Sequence, residues 1–175
     1  ERVLLGVIYE DPPMDPWSGG VFDPGLRAKG RDWPATAHTM IGFERLRNLR
    51  ELMSHVISDN VPGDVVETGA WRGGACIYMR ALLKAFGVVD RKVWVADSFE
   101  GLPAPDAARY PAQDLGDLHH TFKPLAVSLE TVQENFRKYD LLDDQVRFLK
   151  GWFKDTLPGA PIERIALLRL DGDMY

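Results

Sequence analysis

A chain of 175 residues is one ordinary domain in length, and 45% hydrophobic with 27% charged residues is a globular composition without the run of roughly 20 apolar residues that crosses a bilayer. The net charge of −5 argues against general affinity for nucleic acid, whose partners cluster Lys and Arg. A single cysteine, Cys76, excludes an internal disulfide, and the start "ERVLLGVIYED" lacks the basic flank and cleavage site of a secretory signal, so a cytoplasmic location is expected.

The first apolar run, "VLLGVIY" at 3–9, is too short for periodicity to separate helix from strand and is read as the end of a helix. Residues 10–37 are dense in Pro, Gly and Asp, with Trp17, Phe22 and Trp33 among them. A stretch of this length without regular structure reads as a lid. Residues 1–39 are thus expected to be an N-terminal segment and lid, and 40–175 the main domain. Phe43, Leu46, Leu49, Leu52, Met53, Val56 and Ile57 recur at helical spacing, which predicts an amphipathic helix over 40–58. "DVVET" then reads as a buried strand, "GGACIYMRALLKAFG" as a helix closing at Gly87, and "KVWVADS" as a second strand. After a loop from about Glu100 to Pro124, Ser128 caps a helix carrying Val132, Phe136 and Tyr139. "QVRFLKGWF" and "IALLRLDGD" supply two more strands. Strands separated by crossovers imply an α/β fold with a doubly wound, mostly parallel sheet.

In such a sheet the turn after the first strand approaches the ligand. Gly69, Gly73 and Gly74 give G-x-x-x-G-G, which matches neither the G-x-G-x-x-G of dinucleotide sites nor a P-loop. Glu67 ends the first strand, where a pyrophosphate would be repelled and a cationic group welcomed. Asp97 ends the second strand, where an acid accepts hydrogen bonds from ribose hydroxyls. A nucleoside carrying positive charge fits both acids, and S-adenosylmethionine is such a ligand. The same acids and glycines would also serve simply as caps and turns.

The blocks "DWPATAHTMIG", "DVVETGAWRGGACIYMR", "VWVADSFEGLP", "FLKGWFKDTLP" and "LRLDGDMY" occur in order, and from about Tyr9 to Tyr175 the sequence resembles the macrocin O-methyltransferase family. Members of that family methylate deoxysugar hydroxyls on macrolide antibiotics, and one relative acts on an aminocoumarin sugar. The resemblance implies a Rossmann-like class I methyltransferase fold, S-adenosylmethionine, a magnesium ion at the sugar diol and a glycosylated natural product as acceptor. It implies that Thr68, Gly69, Ala70, Trp71 and Arg72 line the methionine part, beside Glu67. Asp97 would hold the ribose with Ser98 and Phe99 alongside, Gly151, Trp152 and Phe153 would flank the adenine, and Met40 and Ile41 would touch the cofactor from the lid.

"RLDGDMY" sets Asp171 and Asp173 two apart at a strand end, a reasonable partial site for a hard cation. By resemblance the ligand is Asp171, with partners from an Asp-Asp pair further along. The sequence stops at Tyr175 before that pair and before the last strands of the family's sheet, so a fragment is expected. Methylating a hydroxyl needs a base. Of His38, His55, His119 and His120, the pair in "DLGDLHHTF" sits near the ligand end of the sheet, and the family's base falls on His119. A nicotinamide-dependent oxidoreductase and a non-catalytic fragment are the alternatives, and a homo-oligomer is left open.

Overall fold

The computed structural model describes residues 1–106, 108 and 118–172. A short helix α1 (Pro24–Lys29) precedes the long α2 (Gly42–Ser58), and then strand and helix alternate: β1 (Asp64–Thr68), α3 (Gly74–Ala85), β2 (Val93–Asp97), α4 (Leu129–Arg137), β3 (Val146–Lys150), the single-turn α5 (Phe153–Thr156) and β4 (Ile165–Leu170). The four strands form one parallel sheet in the order β3-β2-β1-β4. The order reverses beside β1, whose neighbours are β2 on one side and β4 on the other. This is the switch point where a crevice opens beyond the carboxyl ends of the strands.

The central strands are apolar because both faces are covered: Val65, Val93 and Val95 have no exposed surface. Leu46, Leu49, Met53 and Val56 form the buried stripe of α2, and the first three join Ile77, Met79 and Leu83 of α3 in the same core. Phe136 and Val132 of α4 complete it, with Ser128 accepting from the Thr131 N–H as the cap. Among the described residues no helix is long and apolar enough to cross a membrane.

Three sequence expectations are corrected. Residues 3–9 form turns and a 3₁₀ helix (Val7–Tyr9), not a helix end, because Gly6 and Glu10 both adopt left-handed backbone, at φ 66° and 50°. Residues 10–37 are not without regular structure. Asp23 caps α1 by accepting from the Gly25 and Leu26 N–H groups, and the acids of the segment tie it together. Fully buried Arg27 pairs with Asp32 at 2.8 Å and donates to the carbonyls of Leu5 and Asp11, while the Asp11 carboxylate accepts from Thr36 and Ala37. Tyr139 lies beyond the end of α4, in a turn.

The Tyr139 hydroxyl is 2.7 Å from Nδ1 of His38, and this contact pins the N-terminal segment to the domain. Burial, aided by the charges of Lys138 and Arg72, pushes the His38 imidazole down to about 4. A base with a depressed folded pKa binds fewer protons folded than unfolded, so its contribution is present above the unfolded value near 6.5 and lost as pH falls towards 4. The thermal midpoint is therefore expected to drop across that window, and less steeply in His38→Asn. Parallel curves for the two proteins in a scan of midpoint against pH would remove His38 as the cause.

Candidate active site

A cavity of about 1060 Å³ opens beyond the carboxyl ends of β1, β2 and β4. Of the residues expected at a cofactor, it brings together Met40, Ile41, Glu67, Gly69, Ala70, Trp71, Asp97, Ser98, Gly151, Trp152 and Phe153, and it also takes in His119 and Asp171. Thr68, Arg72 and Phe99 do not line it. Thr68 is buried in β1, and Phe99 packs in the core, its ring centroid 6.2 Å from that of Phe148. Arg72 stacks 4.1 Å from the Trp71 ring and donates to the carbonyls of Pro34 and Ala37, which fastens the glycine turn to the N-terminal segment.

The glycines allow close approach by protein, not only by ligand. Gly69 has φ 88°, and a Cβ there would overlap the Asp171 carbonyl at the end of β4. A Cβ on Gly74 would overlap the His38 carbonyl, which accepts the Gly74 N–H at 2.9 Å. At the amino terminus of α3, where a dinucleotide's pyrophosphate would sit, the first N–H is thus taken by main chain.

Asp97 is engaged from three sides. Its Oδ2 accepts from the Ala70 N–H at 2.7 Å and the Trp71 N–H at 3.2 Å, and its Oδ1 accepts from the Phe99 N–H at 2.8 Å. The Ser98 hydroxyl lies 3.4 Å from Oδ1, but it has one proton and a much shorter bond, 2.7 Å, to the Gly101 carbonyl, so of about four acceptor positions on the carboxylate one remains for a ligand hydroxyl. The acid therefore shapes the turn as well as facing the cavity.

Glu67 is almost fully buried and does not meet a ligand alone. Cys76 Sγ donates to its Oε2 at 2.7 Å, and Nη1 of Arg169 bonds its Oε1. Burial pushes the Glu67 carboxyl up to about 7 against the pull of that guanidinium. The same Nη1 donates to Asp171 Oδ2 at 2.8 Å, so one arginine links the acids ending β1 and β4. Sequence reasoning missed Arg169. The signal was a cation inside an otherwise apolar strand, "IALLRL", two residues before an acid, and in the sheet Arg169 is the register partner of Glu67.

Among the described residues no group of three or more His, Cys, Asp or Glu side chains could hold a metal ion. Asp171 is half exposed, its Oδ2 is taken by Arg169, and Asp173 lies outside the described residues. The described residues therefore do not fit magnesium. They do fit S-adenosylmethionine, through the volume of the cavity, the open acceptor position on Asp97 and the glycine floor.

His119 lies in a 3₁₀ turn (His119–Thr121), its ring centroid 5.6 Å from Trp33 and 5.9 Å from Phe122. The Trp71 indole N–H donates to the Pro124 carbonyl at 3.0 Å and holds the following turn against the glycine turn.

The family described as Macrocin-O-methyltransferase (TylF) matches residues 2–175. Demethyldecarbamoylnovobiocin O-methyltransferase of Streptomyces niveus is 56% identical over 99% of this chain and 68% of its own length. An 8-demethyl-8-(2,3-dimethoxy-alpha-L-rhamnosyl)-tetracenomycin-C 4'-O-methyltransferase of Streptomyces olivaceus is 54% identical over 100% of this chain and 67% of its own. The solved structure of the O-methyltransferase NovP superposes with a TM-score of 0.93 at 56% identity, covering 99% of this chain and 70% of that one.

Proposed function

Because the chain belongs to the macrocin O-methyltransferase family, we propose that it transfers the methyl group of S-adenosylmethionine to a hydroxyl on the sugar of a glycosylated, macrolide-like natural product in the cytoplasm. The observation that carries this reading is that Asp97, the glycine turn and His119 share one cavity at the switch point of a parallel sheet.

In this reading Met40 and Ile41 close over the cofactor, Gly69, Ala70 and Trp71 lie along its methionine part, and the remaining acceptor position of Asp97 takes a ribose hydroxyl beside Ser98. Gly151, Trp152 and Phe153 flank the adenine. Thr68, Arg72 and Phe99 act behind them, holding the strand end and the turns in place. When bound, the cofactor supplies an electrophilic methyl group. A neutral hydroxyl is a weak nucleophile, and a ring nitrogen of His119 takes its proton as the oxygen attacks. The apolar rings around His119 and the residues of 10–37 that line the cavity limit the access of water to that proton. A magnesium ion on Asp171 belongs to the family resemblance alone, and a cation there would share the carboxylate with the Arg169 guanidinium, which bonds its Oδ2. The nicotinamide alternative is disfavoured by the His38 carbonyl on the amino terminus of α3.

Calorimetric titration with S-adenosylmethionine and with NAD tests the reading: the first should bind and the second should not. In the same experiment Asp97→Ala should weaken cofactor binding by about 1.5–3 kcal/mol, since it removes a charged acceptor and leaves three backbone N–H groups without it. Binding of NAD alone would reject the reading, and an unchanged dissociation constant in a folded Asp97→Ala would take Asp97 out of the site.

A further inference from the structure

Four aromatic rings from two distant stretches of chain meet at the mouth of the cavity. Trp17 and Trp33 come from the N-terminal segment, and their ring centroids are 4.9 Å apart at an interplanar angle of 80°. His119 and Phe122 come from the turns before α4, and Phe122 meets the Trp33 ring edge-on at 5.5 Å. Trp17, Trp33 and His119 line the cavity itself.

The arrangement is built, not incidental. The carboxylate of buried Asp15 accepts from the backbone N–H groups of both Trp17, at 3.2 Å, and Trp33, at 2.7 Å, so one side chain sets the position of both indoles. Even so, Trp17 stays 55% exposed. A large apolar ring held half in water beside a cavity has surface left to cover, and the cavity's other lining includes the charged Arg45 and Asp171. The ligand that suits such a pairing has an apolar face and a polar rim. A pyranose is such a ring: its C–H bonds present an apolar face to an indole, while its hydroxyls point sideways to charged groups.

We infer that Trp17 and Trp33 form the wall on which the acceptor's sugar ring stacks, a specificity-determining subsite for a deoxygenated or partly methylated pyranose. Loss of a ring hydroxyl or its conversion to a methyl ether enlarges the apolar face, so such sugars gain most from the wall. This inference rests on the methyltransferase reading above, since that reading brings a sugar to this cavity.

Nitrogen-15 spectra of the whole chain, saturated with S-adenosylhomocysteine and titrated with methyl α-L-rhamnopyranoside, test the subsite. The indole N–H signals of Trp17 and Trp33, assigned from Trp17→Leu and Trp33→Leu, should move with added sugar while that of Trp152 stays. Trp17→Leu should weaken the sugar about tenfold and leave the S-adenosylhomocysteine dissociation constant within about twofold. Because Trp17 is half in solvent, its replacement keeps the fold even where Trp33→Leu does not. Sugar binding that moves neither indole, an unchanged sugar affinity in Trp17→Leu, or no sugar binding to the cofactor-loaded chain would overturn the subsite and leave the methyltransferase reading standing. Movement of both indoles with S-adenosylhomocysteine alone, and none with sugar, would assign the wall to the cofactor and overturn it too. Failure of S-adenosylhomocysteine itself to bind would overturn the reading and the subsite with it.

Discussion

Replacing Arg169 by leucine is expected to lower the free energy of unfolding by about 3–5 kcal/mol, the cost of leaving a buried charge without its partner. The Glu67 side chain is 2% exposed, and Arg169 is the cation bonded to it. Cys76 also donates to Glu67, but a thiol is too weak a donor to replace a guanidinium. The double variant Arg169→Leu/Glu67→Gln should recover at least half of the loss, because a neutral amide is far cheaper to bury than a carboxylate. The loss should also depend on pH. A carboxyl whose folded pKa lies above its unfolded value binds more protons folded than unfolded between the two. Its contribution is therefore present below 4.5 and lost as pH rises through about 7. Without Arg169 that dependence steepens, so the single variant should be nearest to the parent at pH 5 and furthest at pH 8. Chemical denaturation of the three proteins at both values measures this. A single variant as stable as the parent at pH 8 would show that Glu67 is not held ionised by Arg169.

The same pair shows where sequence reading stops. The strands were legible because a parallel strand covered on both faces is an unbroken apolar run ending in a turn: "DVVET" and "KVWVADS" match β1 and β2 to within a residue or two. The amphipathic spacing of α2 and the Ser128 cap of α4 were equally plain, since both are local patterns. Even α1 had its local signal, Asp23 followed by Pro24, although it is six residues long and sits among turn residues. The acids at the ends of β1 and β2 were legible as positions, but their partners were not. Glu67 meets Arg169 across 102 residues of sequence, through the register of β1 with β4, and no local periodicity encodes that register. Asp97 reads as a ligand acid, yet its Oδ2 goes to the backbone of the turn between β1 and α3, through bonds that exist only once the two strands are side by side. The composition of 10–37 suggested a lid, and the same aspartates that made it look unstructured are the groups that order it.

His119→Ala is expected to reduce turnover by about 10² to 10⁴, the usual contribution of a positioned general base, while cofactor affinity stays close to that of the parent. The separation follows from geometry. Asp97 ends β2 and the glycine turn joins β1 to α3, whereas His119 stands on a separate 3₁₀ turn and makes its ring contacts with Trp33 and Phe122. Removing the imidazole leaves the backbone bonds to Asp97 untouched, so the cofactor should bind as before and fail to react. A structural role alone would give a different pattern: loss of packing against Trp33 should be made good by His119→Phe, which restores a ring but no basic nitrogen. The variant His119→Gln keeps a hydrogen-bonding side chain without a useful proton acceptor and should be as slow as His119→Ala. Single-turnover rates for the parent and the three variants decide between the roles: His119→Ala and His119→Gln should both be slow, and His119→Phe should be no faster. Recovery of the rate in His119→Phe would move the base elsewhere, and His120, the next residue on the same turn, would be the first position to replace.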